Sequence, residues 1–284
     1  MQYTLDLLGQ RYRLSTPFEL HIPANMAPFL RPGQDCSEFW IRVEPGYPVR
    51  PGENSRWCGT YFYEQTQSGG RTLHCHSAGT APYAVTEFFS DGNIRLTYQA
   101  EFVSLIKNAS TLLHLVGLES MMLLHGGLIL HAAFVRKEGR GLLFTAPSGT
   151  GKSTQARLWE EHRGAAILNG DRAGLRLHDG QWRAWGLPYA GTSGIYRNES
   201  APVGAIVVLR QGQENRIRRL TAAEAMRCCY PEITMHHWDQ QFVECALDLM
   251  QSLIQYVPVF MLECLPDESA VVLLEQTLEK EGLL

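Results

Sequence analysis

The stretch that most constrains this chain is residues 141–154, GLLFTAPSGTGKST. The apolar run Leu142, Leu143, Phe144 ends in a loop carrying Gly149 and Gly151, then Lys152, Ser153 and Thr154, and a helix-like pattern follows. Strand, glycine loop and helix in that order are the setting of a P-loop. Backbone N–H groups there turn inward to hold phosphate oxygens, the lysine reaches the β- and γ-phosphates, and the next hydroxyl binds Mg²⁺. Ala146 stands where the strict pattern has glycine. Alanine does not readily take φ > 0, so the loop must keep an ordinary conformation at that position. The pattern predicts a bound nucleotide, ATP with Mg²⁺, on Ser148, Gly149, Thr150, Gly151, Lys152, Ser153 and Thr154.

A length of 284 residues allows one large domain or two ordinary ones, and 45% hydrophobic with 19% charged residues is a globular composition. The net charge of −4 gives no reason to expect nucleic acid or an anionic membrane as a partner. Seven scattered cysteines do not make a disulfide framework, and the first residues show neither a basic nor an apolar secretory region. The longest apolar region, 112–135, is broken by His114, Glu119, His125 and His131, which suits a buried helix and strand better than a membrane span. A reduced, cytoplasmic setting is expected.

The first hundred residues read as short strands and turns. Hairpins are expected at Tyr3–Leu14 and at Tyr83–Phe102, the second across a type I′-compatible Asp91-Gly92. Four prolines between 31 and 58 argue against long elements there. The pattern turns helical over Val103–Leu124, so a boundary is expected between a β-rich domain, 1–102, and a second domain, 103–284. That second part alternates strands at 128–135, 142–145, 165–168, 203–209 and 257–264 with helices after the glycine loop, after the capping box Thr221–Glu224, over 242–256 and over 267–280. A hairpin is expected across Asp179-Gly180. Helices, strands and intervening hairpins predict an α/β fold with a mixed sheet.

Phosphoryl transfer needs a metal, positive charge on the transferred group and a residue to orient the attacking oxygen. Asp171 ends the strand that returns from the loop helix and is the leading carboxylate, as base or, with Ser153, as metal ligand; its plain alternative is a turn aspartate in Asn169-Gly170-Asp171. His131 lies in an apolar strand, where a histidine is more often a packed core residue. The aperiodic segment 186–202 holds Arg197, a candidate to offset developing charge, and Glu199, a candidate metal ligand. His74-Cys75-His76, Cys228-Cys229 and His236-His237 lack a second ligand pair at zinc spacing, and Trp159, Trp182 and Trp185 read as packing residues.

With these residues in hand, the segment from Leu128 to Leu209 resembles the catalytic domain of the HPr kinase/phosphorylases and, more distantly, the phosphoenolpyruvate carboxykinase-like superfamily. The likeness rests on His131 in Leu-His-Ala, the P-loop beginning at Ala146 and the strand ending at Asp171. It departs where that family has an aspartate pair: Gly170 takes one place, and Arg172 follows where another acid is common. The chain looks more like the HPr-kinase-like proteins of bacteria, some of which accompany peptide-modification systems. The resemblance implies an ATP- or pyrophosphate-linked kinase on a mixed-sheet fold, with His131 and Asp171 near the transferred phosphate. A hydroxyl of a peptide, a protein or a small molecule would be its acceptor. With one acid lost, His131 or Glu199 would take over one of its roles. A small-molecule kinase and a non-catalytic nucleotide-binding regulator are the competing readings, and a homo-oligomer is compatible with either.

Overall fold

The computed structural model describes residues 1–33, 37–48, 56–58, 61–65, 71–78, 81–189 and 191–284, with the side chains of 49–75 and 77–81 outside the described set. The chain forms two compact units, one of Met1–His125 with His237–Gln240 and one of Gly126–His236 with Gln241–Leu284. No helix among the described residues is long and apolar enough to cross a membrane.

The first unit is built on a mixed sheet. Its strands are β1 (Gln2–Leu7), β2 (Gln10–Ser15), β3 (Leu30–Pro32), β4 (Phe39–Pro45), β5 (Arg56–Cys58), β6 (Tyr61–Gln65), β7 (Arg71–Ala78), β8 (Ala81–Phe89) and β9 (Ile94–Tyr98). They lie in the order β3-β1-β2-β4-β9-β8-β7-β6-β5, with β4 parallel to both of its neighbours. The β1–β2 hairpin turns on Leu8 and Gly9, both at positive φ, as a two-residue turn between twisted strands requires. The second expected hairpin does not use a type I′ turn. Its loop is longer, only Gly92 has positive φ, and the Asp91 carboxylate accepts from the Asn93 N–H at 3.1 Å. In the proline-bearing stretch the strands are short: β3 ends on Pro32 and the seven-residue β4 ends on Pro45.

The expected helix over Val103–Leu124 is three short ones, α1 (Val103–Ile106), α2 (Ala109–Val116) and α3 (Leu118–Leu124). Asn108 caps α2, accepting from the N–H groups of Ser110 and Thr111, and Gly117 at φ +75° ends it. These helices belong to the first unit, so the units divide at His125/Gly126 and not at the expected 102/103. The reason lies in α2. It buries Leu112, Leu113, Leu115 and Val116, and its Leu115 carbonyl accepts hydrogen bonds from Thr86 (2.6 Å) and the buried His76 (2.9 Å). Of the His74-Cys75-His76 alternation, the side chains of His74 and Cys75 lie outside the described residues.

The second unit has two sheets that share long strands. Its elements are β10 (Gly127–Lys137), β11 (Arg140–Thr145), α4 (Lys152–Arg163), β12 (Ala166–Asn169), β13 (Arg172–His178), β14 (Gln181–Gly186), β15 (Ser200–Gln211), β16 (Arg216–Arg219), α5 (Ala222–Cys229), α6 (Gln240–Tyr256), β17 (Val259–Cys264) and α7 (Glu268–Lys280). One sheet runs β12-β10-β11-β15-β17-β16, with β11, β15 and β17 mutually parallel and the other pairs antiparallel. The other runs β10-β13-β14-β15 and is antiparallel throughout. The mixed α/β expectation holds. The Asp179-Gly180 hairpin forms with both residues at positive φ, and the Thr221–Glu224 capping box forms as read.

The core of this unit joins Phe144, Val207 and Phe260 from the parallel strands to Trp159 of α4 and Leu274 of α7, all within 1% of complete burial. At about 25 cal/mol per Å² of apolar area, fully burying side chains of this size stabilises by roughly 1.5–3 kcal/mol each. That packing fixes α4 against the sheet and so sets where the loop before it points.

Candidate functional site

The loop between β11 and α4 runs from Ala146 to Gly151. Gly149 and Gly151 have φ of +81° and +119°, and a Cβ built on either meets nothing within 4 Å. Glycine is demanded there by backbone conformation and not by crowding. Ala146 has no positive φ, as its side chain requires. The Thr150 hydroxyl donates to the Pro147 carbonyl at 2.9 Å and closes the loop. Gly151 caps α4 without any side-chain hydrogen bond, so the positive end of the helix dipole opens at the loop. The loop and first turn wall a cavity of about 380 Å³, completed by His131, Gly170, Asp171 and Thr192.

Lys152 is buried at 8% exposure, and its ammonium donates to the carbonyls of Ala146 (2.7 Å) and Pro147 (3.4 Å). Burial lowers its pKa, against the opposing pull of the nearby Glu232 and Asp171 charges. The ammonium therefore sits beneath the loop with carboxylates near it.

Asp171 reaches the cavity through a break in strand pairing. Both β12 and β13 pair with β10, Asn169 opposite Phe134 and Arg172 opposite His131, so Gly170 and Asp171 are left out of the ladder beside His131. The fully buried Asn169 holds that break. Its carboxamide oxygen accepts from the N–H groups of Asp171 (2.9 Å) and Arg172 (3.0 Å), and its nitrogen donates to the carbonyls of Leu187 (2.8 Å) and Tyr189 (2.9 Å). The following loop presses close. A Cβ on Gly191 (φ +51°) would come within 2.7 Å of Asp171 Cβ, and one on Gly170 within 2.1 Å of Ser193 Oγ.

His131 has Nε2 3.7 Å from Asp171 Oδ1 and Nδ1 2.9 Å from Glu232 Oε2. Its main-chain carbonyl accepts from the Thr145 hydroxyl at 2.9 Å, tying it to the strand that feeds the loop. Glu232 is buried at 9% exposure, in a turn of Tyr230–Glu232. Ile233 bridges to Leu130 and the Thr234 N–H donates to the Ile129 carbonyl at 2.9 Å, which lays this turn along β10. An ionised carboxylate only accepts, so the Nδ1 that meets Glu232 carries a proton, and Nε2 is the nitrogen turned toward Asp171.

Arg172 stands on the other side of Asp171, with Nε 3.5 Å from Oδ2, Nη1 3.4 Å from the Thr234 hydroxyl, and its guanidinium 4.9 Å over the Tyr189 ring. Such stacking holds a planar cation in one orientation.

The structure thus brings together His131, Asp171, Ser148, Gly149, Gly151, Lys152, Ser153 and Thr154 around one cavity, but not Thr150, Arg197 and Glu199. The last two pair with each other at 3.9 Å, and Glu199 also pairs with Arg136 at 2.8 Å. Strand β15 is parallel to β11, so its first residue, next to Glu199, lies at the end of the strands opposite the glycine loop. Of the three expected metal ligands, Ser153 and Asp171 line one cavity and Glu199 lies away from it. Among the described residues no group of three or more His, Cys, Asp and Glu could hold a metal. A Mg²⁺ ion commonly takes only one or two protein ligands and completes its shell with water and phosphate, so the pair suits it.

Sequence reasoning missed Glu232, Thr192 and the latch role of Asn169, and noticed Arg172 only as a departure. Asn-Gly-Asp is a local signal for a side-chain-capped turn. Glu232 carries no local signal. Cys228, Cys229 and Cys264 are in no disulfide, His236 stacks 4.7 Å from Phe242, and the three tryptophans are buried as expected.

Fold and site define an α/β protein with mixed sheets, whose loop-and-helix cavity faces a histidine held between two carboxylates. The chain belongs to the family described as SynChlorMet cassette protein ScmC, whose model matches residues 99–265, more than half of its length. That span contains every site residue named above. No curated protein matches the chain. Among solved structures it is similar to the HPr(Ser) kinase/phosphatase from Coxiella burnetii, at 14% identity over 54% of this chain and 95% of that one, with a TM-score of 0.32.

Proposed function

We propose that the protein is an ATP-dependent phosphotransferase that moves the γ-phosphoryl group to a hydroxyl, that of a seryl side chain in a peptide or protein. The observation that supports it is one cavity in which Ser148, Gly149 and Gly151–Thr154 face Asp171 and His131. On this reading 146–151 is a P-loop. Its main-chain N–H groups and Lys152 hold the phosphates, and the open space above Gly149 and Gly151 leaves room for them. Ser153 and Asp171 would hold Mg²⁺, which when bound offsets charge on the β- and γ-phosphates.

His131 accepts the hydroxyl proton at Nε2. Glu232, bonded to Nδ1, keeps the ring in that tautomer and stabilises the imidazolium that forms. This fills the role left by the missing second aspartate. Arg172 takes the part expected of Arg197 and steadies charge on the transferred group, its fork held by Tyr189 and Thr234.

The test is incubation of the full chain with γ-labelled ATP in the presence and absence of a cell extract. Label on a peptide or protein that vanishes with Lys152→Ala supports the proposal. Label on a small molecule alone moves the acceptor to a metabolite. Tight ATP binding without any labelled product leaves a nucleotide-binding regulator, and ATP handling unchanged by Lys152→Ala sinks the assignment.

A further inference from the structure

A second cavity, also about 380 Å³, lies on the other side of the glycine loop. It shares Gly149, Gly151 and Thr154 with the first, so the two adjoin at the loop. Its far wall comes from the C-terminal ends of β15 and β17, where Leu209, Leu265 and Pro266 give an apolar surface. Because β11, β15 and β17 are parallel, these ends and the glycine loop share one edge of the sheet. Crevices at the carboxyl ends of parallel strands are the usual place for ligands in open α/β sheets.

One polar side chain in this cavity has unused hydrogen-bonding capacity. Gln155 is 2% exposed; its nitrogen donates to Cys264 Sγ at 3.4 Å, and among the described residues its carboxamide oxygen is buried without a partner. A buried acceptor left unpaired costs free energy that an N–H donor would recover. The rim around it is fixed. The Gly212 N–H donates to the Cys264 carbonyl at 3.2 Å, and the Leu265 N–H to the Asn215 side-chain oxygen at 2.8 Å.

We propose that this second cavity takes the base of an aminopurine nucleotide, stacked on Leu209, Leu265 and Pro266, with its amino group donating to the Gln155 carboxamide. The inference rests on the phosphate-binding role proposed for the loop. The two cavities differ in the way the two ends of such a ligand differ. The first is polar, with Lys152, Asp171 and His131 suited to phosphates and the transfer step. The second sets the apolar Leu209, Leu265 and Pro266 beside the Gln155 and Gln211 amides, a wall for a flat ring with polar groups at its edge.

The experiment is calorimetric titration of the full chain with MgATP and, separately, with magnesium tripolyphosphate, which has no base. Gln155→Leu is expected to weaken ATP binding about tenfold, as losing one hydrogen bond to a buried group does, and to leave tripolyphosphate binding unchanged. In the wild-type chain, alkylation of Cys264 followed by peptide mass mapping is expected to slow with MgATP and not with tripolyphosphate; this arm decides if the variant does not fold. Equal affinities for the two ligands with no shielding of Cys264 would overturn the base pocket and leave the phosphate loop standing. Binding of neither ligand would overturn both.

Discussion

Glu232 and His131 stand 101 residues apart in the chain, and their side chains meet at 2.9 Å. The imidazole lies between that buried carboxylate and Asp171, 3.7 Å from its other nitrogen. A histidine oriented on one side by an acceptor has its opposite nitrogen free to take a proton.

If His131 is the base and Glu232 its positioning partner, the two variants should differ in degree. His131→Ala is expected to lower kcat by roughly a hundred- to ten-thousandfold, the usual worth of a positioned base. Glu232→Gln should cost about tenfold in kcat and move the acidic limb of the pH–rate profile to lower pH, because the imidazolium loses its counter-charge. ATP affinity by titration should stay the same in both. A weakened ATP affinity with an unmoved pH profile would mean that Glu232 serves structure only.

The close fit of Gly191 against Asp171 gives a second prediction. Gly191→Ala adds a methyl 2.7 Å from Asp171 Cβ at a residue with φ +51°. The strained φ alone should cost about 1 kcal/mol, and the contact adds to it. Urea denaturation reads the stability loss. The displaced carboxylate should show as a rise in the Mg²⁺ concentration needed for half-maximal turnover.

Asn169 makes four hydrogen bonds from a fully buried position. Asn169→Ala leaves two N–H groups and two carbonyls without these partners, and the expected loss is about 2–3 kcal/mol of folding stability. Asn169→Asp keeps the acceptor side and loses the donors to Leu187 and Tyr189, so it should retain more turnover than the alanine variant at pH 7. Equal stability of wild type and Asn169→Ala in urea would remove the latch.

A pH effect is expected in the first unit. Burial is the main cause that brings the pKa of His76 from 6.5 down to about 4, with its bond to the Leu115 carbonyl pulling the other way. The unfolded chain therefore binds this proton more readily than the native one. The stability tied to neutral His76 is complete above pH 6.5 and is lost as pH falls from 6.5 toward 4, by about 3 kcal/mol. Thermal melts of the full chain at pH 7 and pH 4.5 read it. His76→Leu should show a flatter dependence over that range.

Much of the second unit was legible because it is written locally. An apolar run, a loop with glycine at 149 and 151, and a helix with apolar periodicity each depend on near neighbours in sequence. Asp171 could be placed beside the loop for the same reason, since a short strand leads straight to it from α4. The turns at 179–180 and the cap at 221–224 need only two to four residues each. Arg197 and Glu199 were misplaced because their segment has no periodicity to show where it goes. Only the parallel pairing of β15 with β11 puts Glu199 at the remote end of the sheet.

The amino-acid sequence by itself determined the mixed α/β character of the chain, the glycine loop and the identity of the lysine and hydroxyl beside it, since backbone conformation and hydrophobic period are local properties. Tertiary structure alone decided that α1–α3 pack with the first unit, that Glu232 meets His131, that Asn169 pins Asp171, and that Gln155 lines a cavity at the strand ends. Each of these depends on which strands pair and how helices seat on them. Pairing partners far apart in the chain leave no imprint on the residues around either one.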